Sequence, residues 1–393
     1  MEWERQTWME EYEAGERISA IAQQHGVSRR TIHKWIERWQ QSGLEGLQEL
    51  SRAPHQHPQA VAEVWKERVR AARQQHPRWG APKLAWLLKQ GREEGEVPSL
   101  STIGRILRES GLSRVQRAKP RTPDTGELKQ AEQPNQVWAI DFKGWCRTGD
   151  GIKCEPLTIS DQASRYLLCC QGLTSTRTEL VRPVMERVFE RYGIPARMRS
   201  DNGSPFASVG ECGLTELSVW WMELGMECER IRPGRPQQNG RHERMHRTLK
   251  EATMEPPAAT FRQQQRRFDE FREEYNQARP HEALGQRVPA SLYVPAAVAY
   301  SRKIAPPEYP SHWPVRKVDG GQMRWMSQRI FISHALTGKN LGWEPVGEGT
   351  WKVWFYKHWL GTWEQDDKRF WRPAELLQRQ RRGKVEAPGS PAG

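Results

Sequence analysis

The sequence predicts a multidomain chain. All-α helix-turn-helix modules stand at the N-terminus, an α/β core on a mixed five-stranded sheet lies in the centre, and a small β-barrel follows at the C-terminus. Three observations carry this prediction. Up to about residue 111, apolar residues recur at three- and four-residue spacing, the period of helices buried along one face. From residue 136 the pattern changes to short apolar runs, and from 313 to 372 it alternates apolar and polar residues around glycine-containing turns. At 393 residues the chain is also too long for one ordinary domain.

Residues 1–50 form the first module. Ile18, Ile21, Ala22, Val27, Ile32, Trp35, Ile36 and Trp39 build its apolar faces. The helical pattern breaks at His25-Gly26, and Ser28 is a suitable N-cap for a new helix. Helix, short turn and capped helix is the helix-turn-helix arrangement. The early residues of its second helix are those that reach base edges in the major groove, which here means Arg29, Arg30, Thr31, His33 and Lys34. A helical hairpin with a solvated basic face is the plainer reading of the same residues.

The segment SRAPHQHPQA, residues 51–60, reads as a proline-containing linker. A second helical, helix-turn-helix-like module spans 60–112, with helices over Val61 to Gln75, from Ala81-Pro82 through Leu88, and over Ser99 to Gly111. It either binds DNA or serves as a structural bundle. Residues 113–135 form a second linker, in which Arg114, Arg117, Lys119 and Arg121 either track a phosphate backbone or belong to a solvated tether.

The core is expected over 136–300. Strands are predicted at Gln136–Cys146, Cys154–Ser160, Arg165–Gln171, Ala196–Ser200 and Glu227–Ile231. Helices are predicted at Leu180–Tyr192, Leu214–Leu224, Gln238–Ala252 and Phe261–Ala278. The barrel takes 313–375, with Trp343, Trp351, Trp354, Trp359 and Trp363 as its core or, alternatively, as an aromatic surface for DNA. Residues 379–393 read as a disordered tail.

The chain carries 61 Lys and Arg against 48 Asp and Glu, a formal charge of +13 and a pI near 9.6, which favours a polyanionic partner. No run of about 18 apolar residues suggests a membrane span, and the charged opening MEWERQTWMEEYEAG lacks the apolar core of a signal peptide. Six cysteines without CxxC spacing predict reduced thiols in a cytoplasmic protein and argue against cysteine-based zinc binding.

Three acids stand apart from the rest. Asp141 follows the buried run Val137 to Ile140, Asp201 follows a second short strand and precedes the Asn202-Gly203 turn, and Glu243 lies inside a polar helix. Phosphodiester transfer uses two divalent cations about 3.5–4 Å apart, and Mg²⁺ prefers hard oxygen ligands. Asp161, in TISDQASRYLL, and Asp150, in TGDG, are decoys with structural and solvent-exposed settings respectively.

The segments DFKGW, PLTISDQASRYLL, SDNGSPF and RPGRPQQNGRHERMHRTLKE resemble the catalytic core of DDE transposases of the IS481 and IS3 type, with a retroviral-integrase-like core, over about Asn135 to Pro295. One departure is visible: 41 residues separate Asp201 from Glu243, more than the family spacing implies, and the surplus falls in SVGECGLTEL.

The resemblance implies a ribonuclease-H-like fold in which Asp141, Asp201 and Glu243 are both catalytic residues and metal ligands. Asp141 and Asp201 would share one Mg²⁺, and Asp141 and Glu243 a second, with Mn²⁺ able to substitute. It further implies an insertion-sequence transposase that cleaves 3′ ends and transfers strands, acting as a homo-oligomer on the double-stranded DNA of its terminal repeats and target. DNA contacts are expected from Gln237, Gln238 and Asn239, and from Arg247 and Lys250 on the same helical face as Glu243. His246 is expected either to touch DNA or to make a structural hydrogen bond. The competing functions are a phage- or retroelement-type integrase sharing this chemistry and a non-catalytic helix-turn-helix regulator.

Overall fold

The computed structural model describes residues 2–49, 61–90, 97–113, 130–208, 212–231, 240–373, 375, 376 and 379. The chain divides into two compact units, Met1–Val64 and Trp65–Gly393. Residues 51–60 of the first linker, residues 114–129 of the second, the loop residues Gln237, Gln238 and Asn239, and all of the C-terminal tail except Arg379 lie outside the described residues.

In the first unit, α1 (Glu2–Glu13), α2 (Ile18–Gln24) and α3 (Arg29–Ser42) pack around Trp8, Met9, Ile21, Ile32, Trp35, Ile36 and Leu47. Ser28 caps α3 as its sequence position demands: its Oγ accepts from the Thr31 amide at 3.1 Å. Gly26 turns the chain between α2 and α3 at φ +64°, a conformation that costs glycine little. The Ile32-Trp35-Ile36 face is buried, which leaves Arg29, Arg30, His33 and Lys34 exposed on the opposite side.

The second unit opens within α4 (Glu63–Gln75) and continues with α5 (Ala81–Lys89) and α6 (Leu100–Glu109); Val69, Trp79, Leu84, Ile103 and Ile106 are buried here. This module is tied to the core. Arg78 donates to the Glu251 carbonyl, and Lys83 Nζ donates to the Pro280 carbonyl at 2.6 Å.

The central sheet contains β1 (Trp138–Phe142), β2 (Cys146–Arg147), β3 (Lys153–Asp161), β4 (Leu167–Leu173), β5 (Arg197–Ser200) and β6 (Glu227–Arg230). It therefore has six strands where five were expected. The run Gln136–Cys146 is broken by Gly144, at φ +85°, so that Cys146 and Arg147 pair separately with Cys154 and Lys153. β1, β3 and β4 are antiparallel neighbours, whereas β5 and β6 run parallel to β1, giving a mixed sheet.

Period-two alternation sends Trp138, Ile140, Leu157, Ile159 and Met198 to one face, under α7 (Thr178–Tyr192) and α8 (Glu216–Glu223). On the other face Cys154, Leu167 and Cys170 meet Met245 and Leu249 of α9 (Gly240–Leu249) and Phe268 and Phe271 of α10 (Phe261–Glu273). The result is three layers with the sheet in the middle.

In the C-terminal region β7 (Val315–Lys317), β10 (Asn340–Gly347), β11 (Thr350–Phe355), β12 (His358–Glu364) and β13 (Arg369–Trp371) form one antiparallel sheet, and β8 (Gln322–Trp325) and β9 (Gln328–Phe331) form a separate hairpin. The expected barrel is not closed by hydrogen bonds, since no pairing among the described residues joins β13 to β7. Side chains close the core instead: Trp325 of the hairpin stacks on Trp343 of the sheet at 3.8 Å. Trp343 and Trp363 are buried as expected, while Trp351, Trp354 and Trp359 are half-buried. Val219 and Met222 of α8 enter this same core. Among the described residues no helix is long and apolar enough to cross a membrane.

Candidate active site

β1 and β5 run parallel with Trp138 opposite Met198 and Ala139 opposite Arg199. Continuing that register by two residues sets Asp141 level with Asp201 at the carboxyl ends of both strands, pointing to the same face. β1 holds Asp141 rigidly, because Trp138, Ala139 and Ile140 are wholly buried while its own side chain stays 19% exposed. Asp201 Oδ1 accepts from the Gly203 amide at 3.1 Å. A Cβ at Gly203 would stand 3.0 Å from Asp201 Oδ2, so glycine keeps that carboxylate uncrowded.

Glu243 comes from α9, whose buried stripe is His242, Met245, His246 and Leu249, leaving Glu243 and Arg247 exposed. That stripe contains a hydrogen-bonded brace absent from the sequence reading. Thr158 of β3 stands opposite Asp141, and its Oγ1 lies 3.1 Å from the Asp141 carbonyl and 2.7 Å from Nε2 of both His242 and His246. Ser160 Oγ is 2.9 Å from His242 Nδ1. One proton assignment satisfies all of these contacts: Thr158 donates to the carbonyl and accepts from both Nε2–H groups, and Ser160 donates to His242 Nδ1. Both rings are then neutral. Burial agrees, holding His242 down at about 3 and His246 well below the usual histidine range.

Asp141, His242 and His246 present ligand atoms within 4.8 Å of one another. His242 nevertheless has both nitrogens committed to hydroxyls, so these three are not a metal centre of their own. His246 Nδ1 alone turns its lone pair toward Asp141 Oδ2, at 3.8 Å.

The Asp141 carboxyl is pushed up to about 7, first by burial and then by the carboxylate of Asp201, with a smaller push from Glu243. Three carboxylates crowded in this way form a hard-oxygen donor set that a divalent cation would relieve. The residues present fit Mg²⁺. A pH prediction follows. Because the folded value lies above the ordinary 3.8, this carboxyl favours the metal-free fold at low pH, and that contribution is lost as pH rises through about 7. The depressed histidines act oppositely, weakening the fold as pH falls below about 6.5. Comparison with Asp141→Asn isolates the carboxylate. In chelator, the variant is expected to melt higher than wild type at pH 8 and at nearly the same temperature at pH 5. Mg²⁺ is expected to stabilise only the wild type at pH 8. A variant that melts lower at both pH values, or gains equally from Mg²⁺, would contradict this.

The remaining predicted residues are spread across the molecule. Arg29, Arg30, Thr31, His33 and Lys34 belong to the first unit, where Thr31 Oγ1 is shared with Ser28 Oγ at 2.8 Å and Lys34 Nζ lies over the Trp35 ring at 5.5 Å. Lys250 is exposed and paired with Glu255 at 2.8 Å. His246 is buried in the brace, which resolves its two expected roles in favour of the structural one. Asp161 is wholly buried, accepting from Ser164 N at 2.7 Å, Ser164 Oγ at 2.6 Å and Asn135 N at 2.8 Å, and so it locks a turn. Asp150 is exposed and accepts from the Phe261 amide, at the start of α10. All six cysteines are free thiols.

Comparison with known proteins gives likenesses at the level of whole domains. Residues 131–236 and 224–289 each match an integrase core domain, and residues 2–48 and 31–107 each match a homeodomain-like domain. The chain is 27% identical over 252 residues to the insertion element IS476 uncharacterized 39.2 kDa protein of Xanthomonas euvesicatoria, covering 62% of this chain and 69% of that protein. It is 29% identical over 174 residues to the Gag-Pol polyprotein of Koala retrovirus, covering 44% of this chain but only 10% of the polyprotein. Among solved structures, it is similar to a chain of the simian T-cell lymphotropic virus intasome in complex with PP2A regulatory subunit B56 gamma. That likeness has 15% identity, a TM-score of 0.37, and coverage of 74% of this chain and 97% of the other.

Proposed function

Since the chain carries an integrase core, a polynucleotidyl-transferase fold, together with homeodomain-like helices, we propose that it is an insertion-element transposase that binds element ends, cleaves them to 3′-hydroxyls and joins them to target DNA. The observation that carries this reading is the parallel register that levels Asp141 with Asp201 beside Glu243 of α9. Those three carboxylates would hold two Mg²⁺, or Mn²⁺ in its stead, whose chemistry is to acidify the attacking hydroxyl and neutralise the leaving oxygen.

The protein's own residues do the positioning. The ends of β1 and β5 fix two carboxylates on a rigid sheet, and the Thr158–His242–His246 brace fixes the helix that bears the third. Arg247, one turn beyond Glu243, offers a guanidinium to a phosphodiester passing over α9. Lys250 can do the same by exchanging its exposed partner Glu255, because such surface pairs are worth about 0–1 kcal/mol. Gln237, Gln238 and Asn239 immediately precede α9 and complete the proposed grip on the strand end. A homo-oligomer on DNA, with both ends held, belongs to the same proposal.

A purely regulatory helix-turn-helix protein would have no need of three carboxylates levelled at strand ends. A retroelement-type integrase shares the chemistry, but the insertion-element relative is matched over far more of its length than the polyprotein is.

The test is binding. Where inverted repeats flank the gene, they provide the duplex, which the chain should bind specifically without divalent cation. Arg30→Ala is expected to cost about 1–3 kcal/mol and to relax preference at one base position. Equal loss on every duplex would instead make Arg30 a phosphate contact.

A further inference from the structure

On the side of α9 turned away from the Thr158 brace, the second unit contains a cavity of about 350 Å³. Arg165, Arg241, Arg244 and Arg247 line it from the core, and Arg78, Lys83 and Arg279 line it from the neighbouring segments. Glu251 is the one carboxylate in the lining. Glu274 and Glu282 act on Lys83 from outside that lining and leave a clear excess of positive charge. Lys83 is brought down to about 7 by burial and then by Arg279, against the opposing pull of Glu282 and Glu274. Arg165 supplies an independent observation. It sits in the turn after Ser164 at φ +65°, and its Nη1 is buried without a hydrogen-bond partner among the described residues. A buried unmet guanidinium donor is costly unless something completes it.

We propose that this cleft is a phosphate-binding site that holds a backbone phosphate of the DNA strand, beside the catalytic carboxylates and separate from them. It rests on the DNA-transfer reading above. Guanidinium groups suit phosphate because their forked donors match its oxygens. Position favours a polymeric occupant over a free anion. Arg247 lies four residues after Glu243, an advance of about 6 Å along the helix, which matches about two nucleotide rises of 3.4 Å along a duplex axis. A strand whose scissile phosphate lies at Glu243 therefore reaches the cleft with its neighbouring phosphates. The α4–α5 module thereby joins the core in gripping DNA, through Arg78 and Lys83.

The experiment measures affinity of the full chain for an element-end duplex over a salt series in chelator, so that no chemistry intervenes. Arg165→Gln and the exposed Arg244→Gln are each expected to weaken binding about threefold to tenfold and to lower the log–log salt slope by about 0.9. Glu251→Gln is expected to tighten binding, a direction that misfolding does not produce. Unchanged affinity and slope in the arginine variants, with wild type still binding duplex, would overturn the cleft and leave the transfer reading intact. Loss in these variants from a wild type that cleaves DNA in neither Mg²⁺ nor Mn²⁺ would support the cleft and overturn the transfer reading. Inorganic phosphate provides the second arm, at constant ionic strength. If it raises the melting temperature of wild type but not of Arg165→Gln, and the duplex slopes are unchanged, the site takes a free anion and the strand assignment is overturned.

Discussion

Asp141→Asn, Asp201→Asn and Glu243→Gln are each expected to lower end cleavage and strand joining by about a thousandfold or more while leaving duplex affinity nearly unchanged. Charge stabilisation at such a centre is worth several kcal/mol, and each 1.36 kcal/mol is about tenfold in rate. The binding surface is expected to survive because the proposed recognition residues of α3 lie in a different compact unit from all three acids. Gel analysis of labelled end duplex in Mg²⁺ reads cleavage and joining, and anisotropy reads affinity. Asp161→Asn is the informative control. Its carboxylate is spent on Ser164 and Asn135, so the variant should lose thermal stability and keep its rate per folded molecule. Near-wild-type joining by any of the three acid variants would remove that residue from the catalytic set.

Thr158→Val is expected to destabilise the second unit by about 2–6 kcal/mol, since two buried N–H donors lose their acceptor at about 1–3 kcal/mol each. The change keeps the shape of the side chain and removes only the hydroxyl. It strands His242 and His246, whose Nε2 atoms both lie 2.7 Å from it, and frees the Asp141 carbonyl. Because the brace joins β3 to α9, activity should fall with stability as Glu243 loses its register against Asp141. Thr158→Ser restores the hydroxyl and should recover most of both. Urea denaturation of the two variants provides the comparison. A Thr158→Val protein as stable as wild type would show that the histidines are satisfied by other groups.

The acids were legible because each stands in a local context that sequence exposes: a buried run ending in Asp141, a turn after Asp201, a polar helix around Glu243. Ser28 was legible for the same reason, being an N-cap beside a glycine turn. What sequence concealed depends on distant partners. The His242 and His246 stripe has helical spacing, but its acceptor Thr158 lies 84 and 88 residues away in sequence. The cationic cleft needs α4 and α5 folded against the segment after α9, and no periodicity within α9 announces that. Gly144 splits a strand that apolar pattern alone reads as continuous. In the C-terminal region the alternation predicted strands correctly, yet closure depends on a Trp325–Trp343 stack and on a core shared with α8, neither of which is a local property.

The central claim is that this chain transfers phosphodiesters at Asp141, Asp201 and Glu243. It is tested most directly by incubating the full chain with end-labelled duplex carrying any inverted repeat found in the DNA that flanks its gene. In Mg²⁺ the predicted result is a nicked strand ending in a 3′-hydroxyl at the element boundary, followed by joined products, with both lost in chelator and with Asp201→Asn. Duplex that is bound yet stays intact in Mg²⁺ and in Mn²⁺, or cleavage that Asp201→Asn leaves undiminished, would contradict it.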